Sequence, residues 1–125
     1  MHQHIRRQAV SFRQALHGIS WAFYTQPHLQ FHVIVGLLVM ILGTVLGVSF
    51  IEMAVLTLTI FFVLVVELLN TGVEAVVNLV TDEWQGYAKV AKDVCAGAVF
   101  VASLGAMFVG CFIFVPKLLL LLSTI

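Results

Sequence analysis

Three long apolar segments and one amphipathic segment divide the chain. The apolar segments run over about residues 31–50, 53–78 and 92–115, and each is long enough to cross a bilayer, which takes about 20 residues. The amphipathic segment, at about residues 5–24, precedes them. The pattern predicts an all-α fold, an integral membrane bundle of three transmembrane helices plus an N-terminal amphipathic surface helix. We assign all four elements to a single domain, residues 1–125.

The N-terminal segment combines an apolar face with basic and polar residues at helical spacing. Such a helix lies on the membrane surface or packs against the bundle, and the pattern fits both arrangements. Pro27 predicts the break between this helix and the first span. The apolar set is Ile5, Ala9, Phe12, Leu16, Ile19 and Phe23.

Small residues predict how the spans pack. Gly43 and Gly47 form a G-x-x-x-G pair on the first span, and residues 48–52 are expected to form the turn that follows. Three spans alone make a thin bundle around buried carboxylates, so we expect a homo-oligomer. A second small-residue stripe, on the third span, consists of Ala98, Ala102, Ala106 and Gly110.

The composition agrees with a membrane protein. Hydrophobic residues make up 62% of the chain and charged residues 10%, whereas soluble domains carry about 25% charged residues. The formal net charge is zero and no basic cluster is present, which argues against a nucleic-acid partner. Cys95 and Cys111 stand in apolar sequence at no metal or redox spacing, so we interpret both as small bundle residues.

The lysines and arginines predict the orientation of the spans. Basic residues accumulate on the cytoplasmic side of membrane proteins. Only Lys117 follows the third span, and the other five basic residues fall before the first span or between the second and third. The N-terminus and the loop before the third span are therefore expected in the cytoplasm. The five residues are Arg6, Arg7, Arg13, Lys89 and Lys92.

A narrow polar stripe runs along the otherwise apolar second span. It consists of Glu67, Asn70, Glu74 and Asn78. Their steps of three, four and four residues confine the side chains to an arc of about 80° on a helix. Ionisable residues at membrane depth cost about 2.5–3.5 kcal/mol on insertion scales, so they are rare and mostly functional. The stripe therefore marks the chemistry, at the cytoplasmic end of the span.

A second group of charges begins the third span. Lys92 and Asp93 follow the loop after the stripe, and the hairpin should bring them beside it. Carboxylates can hold Mg²⁺ against phosphate oxygens, a lysine can neutralise phosphate charge, and a carboxylate can accept the proton of an attacking hydroxyl. The set suits phosphoryl transfer. Because neither a P-loop nor a protein-kinase signature is present, any kinase here is of an unrelated type.

These residues carry a resemblance to a known family. The motif E-L-L-N-x-x-x-E at residues 67–74 and the motif A-K-x-A-K-D at residues 88–93 resemble those of the prokaryotic diacylglycerol kinases. The segments 97–99 and 113–117, and the entry to the first span at residues 30–32, are most similar to the undecaprenol kinase branch. The resemblance covers nearly the whole chain.

The resemblance implies an assembly and an activity. The family implies a multi-pass homotrimer in the bacterial inner membrane, with composite sites at subunit boundaries and a cytoplasmic active site. It also implies transfer of the γ-phosphoryl group of ATP to the hydroxyl of a membrane lipid, with Mg²⁺ as cofactor. Undecaprenol and diacylglycerol both remain open as the lipid, because no residue here chooses between them by its chemistry.

Roles for individual residues also follow from the resemblance. Glu67 is implied as the general base and as a lipid contact, and Ala96 as a second lipid contact. Asn70 is implied as the polar companion of the metal ligand Glu74. The catalytic set implied in this way is Glu67, Asn70, Lys92 and Asp93. The implied ATP contacts are Arg7, Gln14, Glu74, Glu83, Trp84, Gln85, Lys92 and Asp93.

Two positions depart from the family pattern. Gln26 stands where the family has a second metal-binding glutamate, and Asn78 stands where the stripe ends in an aspartate. Both changes remove negative charge from the site. A neutral amide binds Mg²⁺ more weakly than a carboxylate does. We therefore keep Gln26 as a metal ligand in question. The two changes fit weaker metal binding, another phosphoryl donor or lower activity, while the nearly complete remainder of the site argues for an active kinase.

Two alternative interpretations remain to be weighed, one for Glu67 and one for a pair of histidines. Glu67 alone would also fit a small non-enzymatic membrane protein, such as a proton-coupled transporter, but the charged mouth at Lys92 and Asp93 favours the kinase. His28 and His32 form an H-x-x-x-H pair that could bind a metal. We favour interfacial side chains for both, because no carboxylate or cysteine stands at ligand spacing.

Overall fold

The computed structural model describes residues 2–80 and 86–123, with side chains from Ser11 onward. Its described residues form four helices and the turns beside them. Three of the helices, α2 to α4, are long and apolar enough to cross a membrane, so the predicted all-α bundle of three spans is confirmed. The helices are α1 (His2–Thr25), α2 (Pro27–Val45), α3 (Phe50–Val80) and α4 (Gly86–Leu122).

Among the described side chains of helix α1, the buried one lies near its C-terminal end. Ala22 is buried, but Phe12, Leu16 and Ile19 are at least half exposed. The described part of the apolar face of α1, from Ser11 onward, is thus not packed on the bundle of this chain, which leaves it available to a membrane surface. Helix α1 stops before Gln26, whose extended backbone precedes Pro27 at the start of α2, so the predicted break is in place.

A tight turn joins α2 to α3. Gly47 has a φ of 61°, and the Gly47 and Val48 amides donate to the carbonyls of Thr44 and Gly43, the pattern of a Schellman motif. A capping box follows immediately: Ser49 N–H donates to the Glu52 carboxylate at 2.6 Å, and Glu52 N–H donates to Ser49 Oγ at 3.3 Å. The turn therefore satisfies its own backbone groups.

Gly43 and Gly47 do not form a packing pair. Gly47 lies in the turn, so the predicted G-x-x-x-G is wrong. The close approach of α2 to α3 occurs instead at Gly36 and Gly43. A Cβ at Gly36 would lie 2.8 Å from Ile60 Cγ2, and one at Gly43 would lie 3.1 Å from Met53 Cε.

Helices α3 and α4 form the main contact of the bundle. Ala102, from the small-residue stripe, is buried, while Ala98 at the N-terminal end of that stripe is exposed. Near the other end, Leu56 packs with Ile113 and Phe114. Three residues after Phe114, Lys117 Nζ lies 3.2 Å from Glu52 Oε2, and both side chains are about a quarter to a third exposed.

The helices differ in length from the predicted spans. Helix α2 begins earlier and ends earlier than the predicted 31–50, because Pro27 starts it and the Schellman turn stops it. Helices α3 and α4 contain 31 and 37 residues, roughly 46 and 55 Å, which exceeds the hydrocarbon thickness of about 30 Å. Both helices also extend beyond the segments 53–78 and 92–115 that hydropathy predicted as spans.

Candidate active site

The four stripe residues lie on one helix, α3, and become more exposed toward its C-terminal end. Glu67 is 3% exposed, Asn70 and Glu74 are half-buried, and Asn78 is exposed. The apolar residues before Glu67 belong to the same uninterrupted helix as the stripe. The stripe therefore leads from a buried carboxylate to the exposed C-terminal end of α3.

Glu67 lies on a part of α3 where a second polar residue, Thr71, is also buried. Thr71, 5% exposed, donates from its hydroxyl to the Glu67 carbonyl oxygen at 3.0 Å. This bond satisfies the threonine within its own helix, as threonines in apolar helices commonly do. Within the described chain, no side chain donates to the Glu67 carboxylate. Thr71 was not among the predicted site residues, although its i+4 spacing from Glu67 was a usable signal.

Asn70 and Glu74 form a pair. Asn70 Nδ2 donates to Glu74 Oε1 at 3.4 Å, so both side chains point to the same side of the helix. Asn70 Oδ1 is buried and has no hydrogen-bond partner among the described residues. An orphaned amide oxygen next to a carboxylate presents two oxygen donors, which is a suitable but incomplete set for a hard divalent cation.

The start of α4 lies beside the end of the stripe. Lys92 Nζ donates to Asn78 Oδ1 at 2.7 Å, so the predicted proximity of the third span to the stripe is present. Asp93 points elsewhere and pairs with Lys89, one turn earlier on α4. Lys89 was predicted only to help set the orientation, although its i+4 spacing from Asp93 indicated the pair.

The remaining predicted residues are more scattered. Gln26 lies between α1 and α2 as the N-cap residue of α2, and its Nε2 is 3.5 Å from Thr25 Oγ1. Gln14 and Ala96 are exposed, on α1 and α4 respectively. The side chain of Arg7 and the loop residues 83–85, predicted to contact nucleotide, lie outside the described residues.

The arrangement fits phosphoryl chemistry better than a metal centre made by protein alone. Among the described residues, no group of three or more His, Cys, Asp or Glu side chains is placed to hold a metal ion. A cation at Glu74 and Asn70 would need further oxygen ligands, and phosphate groups supply them in nucleotide-dependent enzymes. Lys92 offers a positive charge at the same end of the hairpin.

Comparison with known proteins agrees with this chemistry. Residues 13–114 match the model of a family described as prokaryotic diacylglycerol kinase. The chain is 43% identical over 114 residues to the diacylglycerol kinase of Synechocystis sp., covering 90% of this chain and 65% of that protein. It is 40% identical over 114 residues to the undecaprenol kinase of Bacillus subtilis, covering 91% and 93%.

A third relative is more distant. The diacylglycerol kinase of Helicobacter pylori is 32% identical over 81 residues, covering 65% of this chain and 63% of that protein. The chain thus spans just under two thirds of the Synechocystis and Helicobacter pylori proteins. Neither the family nor these relatives are named for transport, the alternative considered above. From the extent of the family match and the identity to these kinases, the chain belongs to the prokaryotic diacylglycerol kinase family.

Proposed function

We propose that this protein is a membrane lipid kinase that transfers the γ-phosphoryl group of ATP to a lipid hydroxyl. The observation that carries the proposal is the order of groups along α3: a buried carboxylate at Glu67, then the hydrogen-bonded pair Asn70 and Glu74 one to two turns nearer the aqueous end. A lipid hydroxyl approaches from the membrane and a nucleotide from water. The stripe offers Glu67 to the lipid hydroxyl and the pair of Asn70 and Glu74 to the nucleotide.

Glu67 acts as the general base in this proposal. Its carboxylate takes the proton of the lipid hydroxyl while the hydroxyl oxygen bonds to the γ-phosphorus. The bond between that phosphorus and the bridging oxygen of ADP breaks, and ADP leaves with the electron pair. The burial of Glu67 supports the assignment, because a lipid hydroxyl is delivered at membrane depth rather than in bulk water.

Glu74 and Asn70 would hold Mg²⁺. The Glu74 carboxylate and the orphaned Asn70 Oδ1 fit the oxygen chemistry of this ion, which typically takes one or two carboxylates and completes its shell with phosphates and water. When bound, Mg²⁺ neutralises phosphate charge that develops during transfer. Gln26 remains a proposed additional ligand, and its neutral amide would add no charge.

Lys92 and Asp93 would contact the nucleotide. Lys92 supplies the positive charge that phosphates require at the cytoplasmic end of the hairpin. Asp93 would have to leave its exposed pair with Lys89, and such pairs within one helix are weak. Arg7, Gln14 and residues 83–85 complete the proposed nucleotide site on the strength of the family resemblance.

The proposal includes a location and an assembly. We place the protein in the bacterial cytoplasmic membrane with its N-terminus and active site inside, because five of six basic residues fall on that side. A homotrimer with shared sites is proposed from the family. The many exposed apolar side chains of the three spans are compatible with both lipid and neighbouring subunits.

A reconstitution assay tests the function. The purified protein would be given ATP and Mg²⁺ with undecaprenol, with diacylglycerol, or with no lipid alcohol. We expect ADP formation that depends on one alcohol and matches the lipid phosphate formed. The names of the relatives divide between the two lipids, so the preferred alcohol identifies the substrate. Lipid-independent hydrolysis, or no turnover with either alcohol, would contradict the proposal.

A further inference from the structure

The hydrogen bond between Lys92 and Asn78 is the described polar contact that joins the end of α3 to the start of α4. Asn78 is the last polar residue of the stripe, two residues before α3 ends, and Lys92 lies within the second turn of α4. The 2.7 Å bond links them across the connection between the helices. Lysine has no acceptor atom, so the amide must present its oxygen.

The contact orients a cation without neutralising it. Lys89 and Asp93 pair with each other, so their charges offset locally. Lys92 is bound to an uncharged amide instead, and its ammonium keeps a full positive charge. An ammonium carries three N–H donors, and the bond to Asn78 uses one of them. The other two can be offered to an anionic ligand.

We infer that Asn78 is a positioning residue for the nucleotide, which fixes Lys92 at the mouth of the stripe while leaving its charge available for phosphate. The inference rests on the proposed function, because that function supplies the nucleotide phosphates that Lys92 would contact. An aspartate at this position would hold the ammonium equally well by geometry but would form an ion pair with it. The neutral side chain at Asn78 thus favours nucleotide binding rather than weakening the site.

The test is the affinity for ADP, which needs no lipid and no chemical step. Asn78→Asp should raise the Kd for ADP by roughly three- to tenfold, because phosphate then competes with a carboxylate for Lys92. Val80→Asp is the matched control. It adds the same charge at the same end of α3, at an exposed position on another face, and should change the Kd by less than about twofold.

A double-mutant cycle separates positioning from a general charge effect. In a Lys92→Met background, Asn78→Asp should weaken ADP binding no more than Val80→Asp does. Asn78→Leu, which removes the acceptor without adding charge, should raise the Kd by about two- to threefold through loss of positioning. Thermal midpoints of all variants identify any that fail to fold.

The outcomes distinguish this inference from the proposed function. If the unmutated protein binds no ADP and phosphorylates no lipid, the proposed function fails and the inference fails with it. If the unmutated protein is active and the Kd for ADP of Asn78→Asp is equal to or lower than that of the unmutated protein, only the inference is overturned. An equal effect of Asn78→Asp with and without Lys92 would also overturn it.

Discussion

Lys117 Nζ lies 3.2 Å from Glu52 Oε2 and connects the last turns of α4 to the first turn of α3. The same carboxylate accepts the Ser49 amide in the capping box, so one side chain serves both the turn and the helix pair. At the opposite end Lys92 reaches Asn78. Residues 52–78 and 92–117 are nearly equal in length, and the two contacts therefore hold α3 and α4 side by side at both ends.

Removing Lys117 should destabilise the bundle. We expect Lys117→Met to lower the thermal midpoint of the purified protein in detergent, and Lys117→Arg to retain most of it, because the Glu52 carboxylate is partly withdrawn from solvent. Lys89→Met is the control, since its pair with Asp93 is exposed and within one helix. An equal fall of the thermal midpoint in Lys117→Met and Lys89→Met would contradict a special role for the pair of Lys117 with Glu52.

Glu67→Gln should abolish most of the turnover while leaving the fold intact. We expect kcat to fall by at least about a hundredfold, the lower end for loss of a general base. Glu52→Gln makes the same change on the same helix at the far end of the bundle and should retain near-normal turnover. Lipid phosphate formed per minute is the measurement, and a correctly assembled Glu67→Gln protein with normal turnover would refute the assignment.

Gln26→Glu should lower the Mg²⁺ concentration needed for half-maximal activity, if this residue faces the metal. A carboxylate binds Mg²⁺ more strongly than an amide does. Glu74→Gln should raise that concentration sharply or abolish activity. A titration that does not move in Gln26→Glu, together with an inactive Glu74→Gln, would mean that Glu74 and the nucleotide hold the metal without the α1–α2 junction.

Gly36→Ala should destabilise the contact between α2 and α3. The added Cβ would lie 2.8 Å from Ile60 Cγ2, and overpacking of this kind costs about 1–3 kcal/mol. Ile60→Leu removes the Cγ2 branch and should restore part of the loss in the double variant. Gly105→Ala, where the new Cβ meets nothing within 4 Å, should be neutral or stabilising. Equal midpoints for Gly36→Ala and Gly105→Ala would contradict the close approach.

The orientation can be measured with single cysteines in a protein whose Cys95 and Cys111 are replaced. The basic residues predict a cytoplasmic N-terminus and an external C-terminus. A cysteine at Ser123 should react with an impermeant thiol reagent in intact cells, and one at Gln3 should react only after the cells are opened. The reverse pattern would overturn both the orientation and the cytosolic nucleotide site.

Periodicity and hydropathy predicted the parts of the fold that depend on local pattern. The polar stripe on α3 and the break at Pro27 are present as expected, since each follows from residues close in the chain. Turn chemistry was less accessible. Gly43 and Gly47 share helical spacing, but only the backbone shows that Gly47 has a positive φ and so belongs to the turn.

Contacts between distant residues explain the rest of the difference. Glu52 and Lys117 stand at opposite ends of two helices, and nothing in either local sequence selects the other as its partner. For the site, proximity of Lys92 to the stripe followed from the hairpin, but its particular acceptor, Asn78, did not. The position of Gln26 relative to Glu74 depends on how α1 and α2 pack, which no spacing rule predicts.

The turn between α2 and α3 also constrains how the protein enters the membrane. Because Gly47 reverses the chain and Ser49 and Glu52 cap the next helix at once, the connection is too short to cross a bilayer by itself. We therefore expect the two helices to enter the membrane as one helical hairpin, because the backbone groups of its tip are largely hydrogen-bonded within the turn.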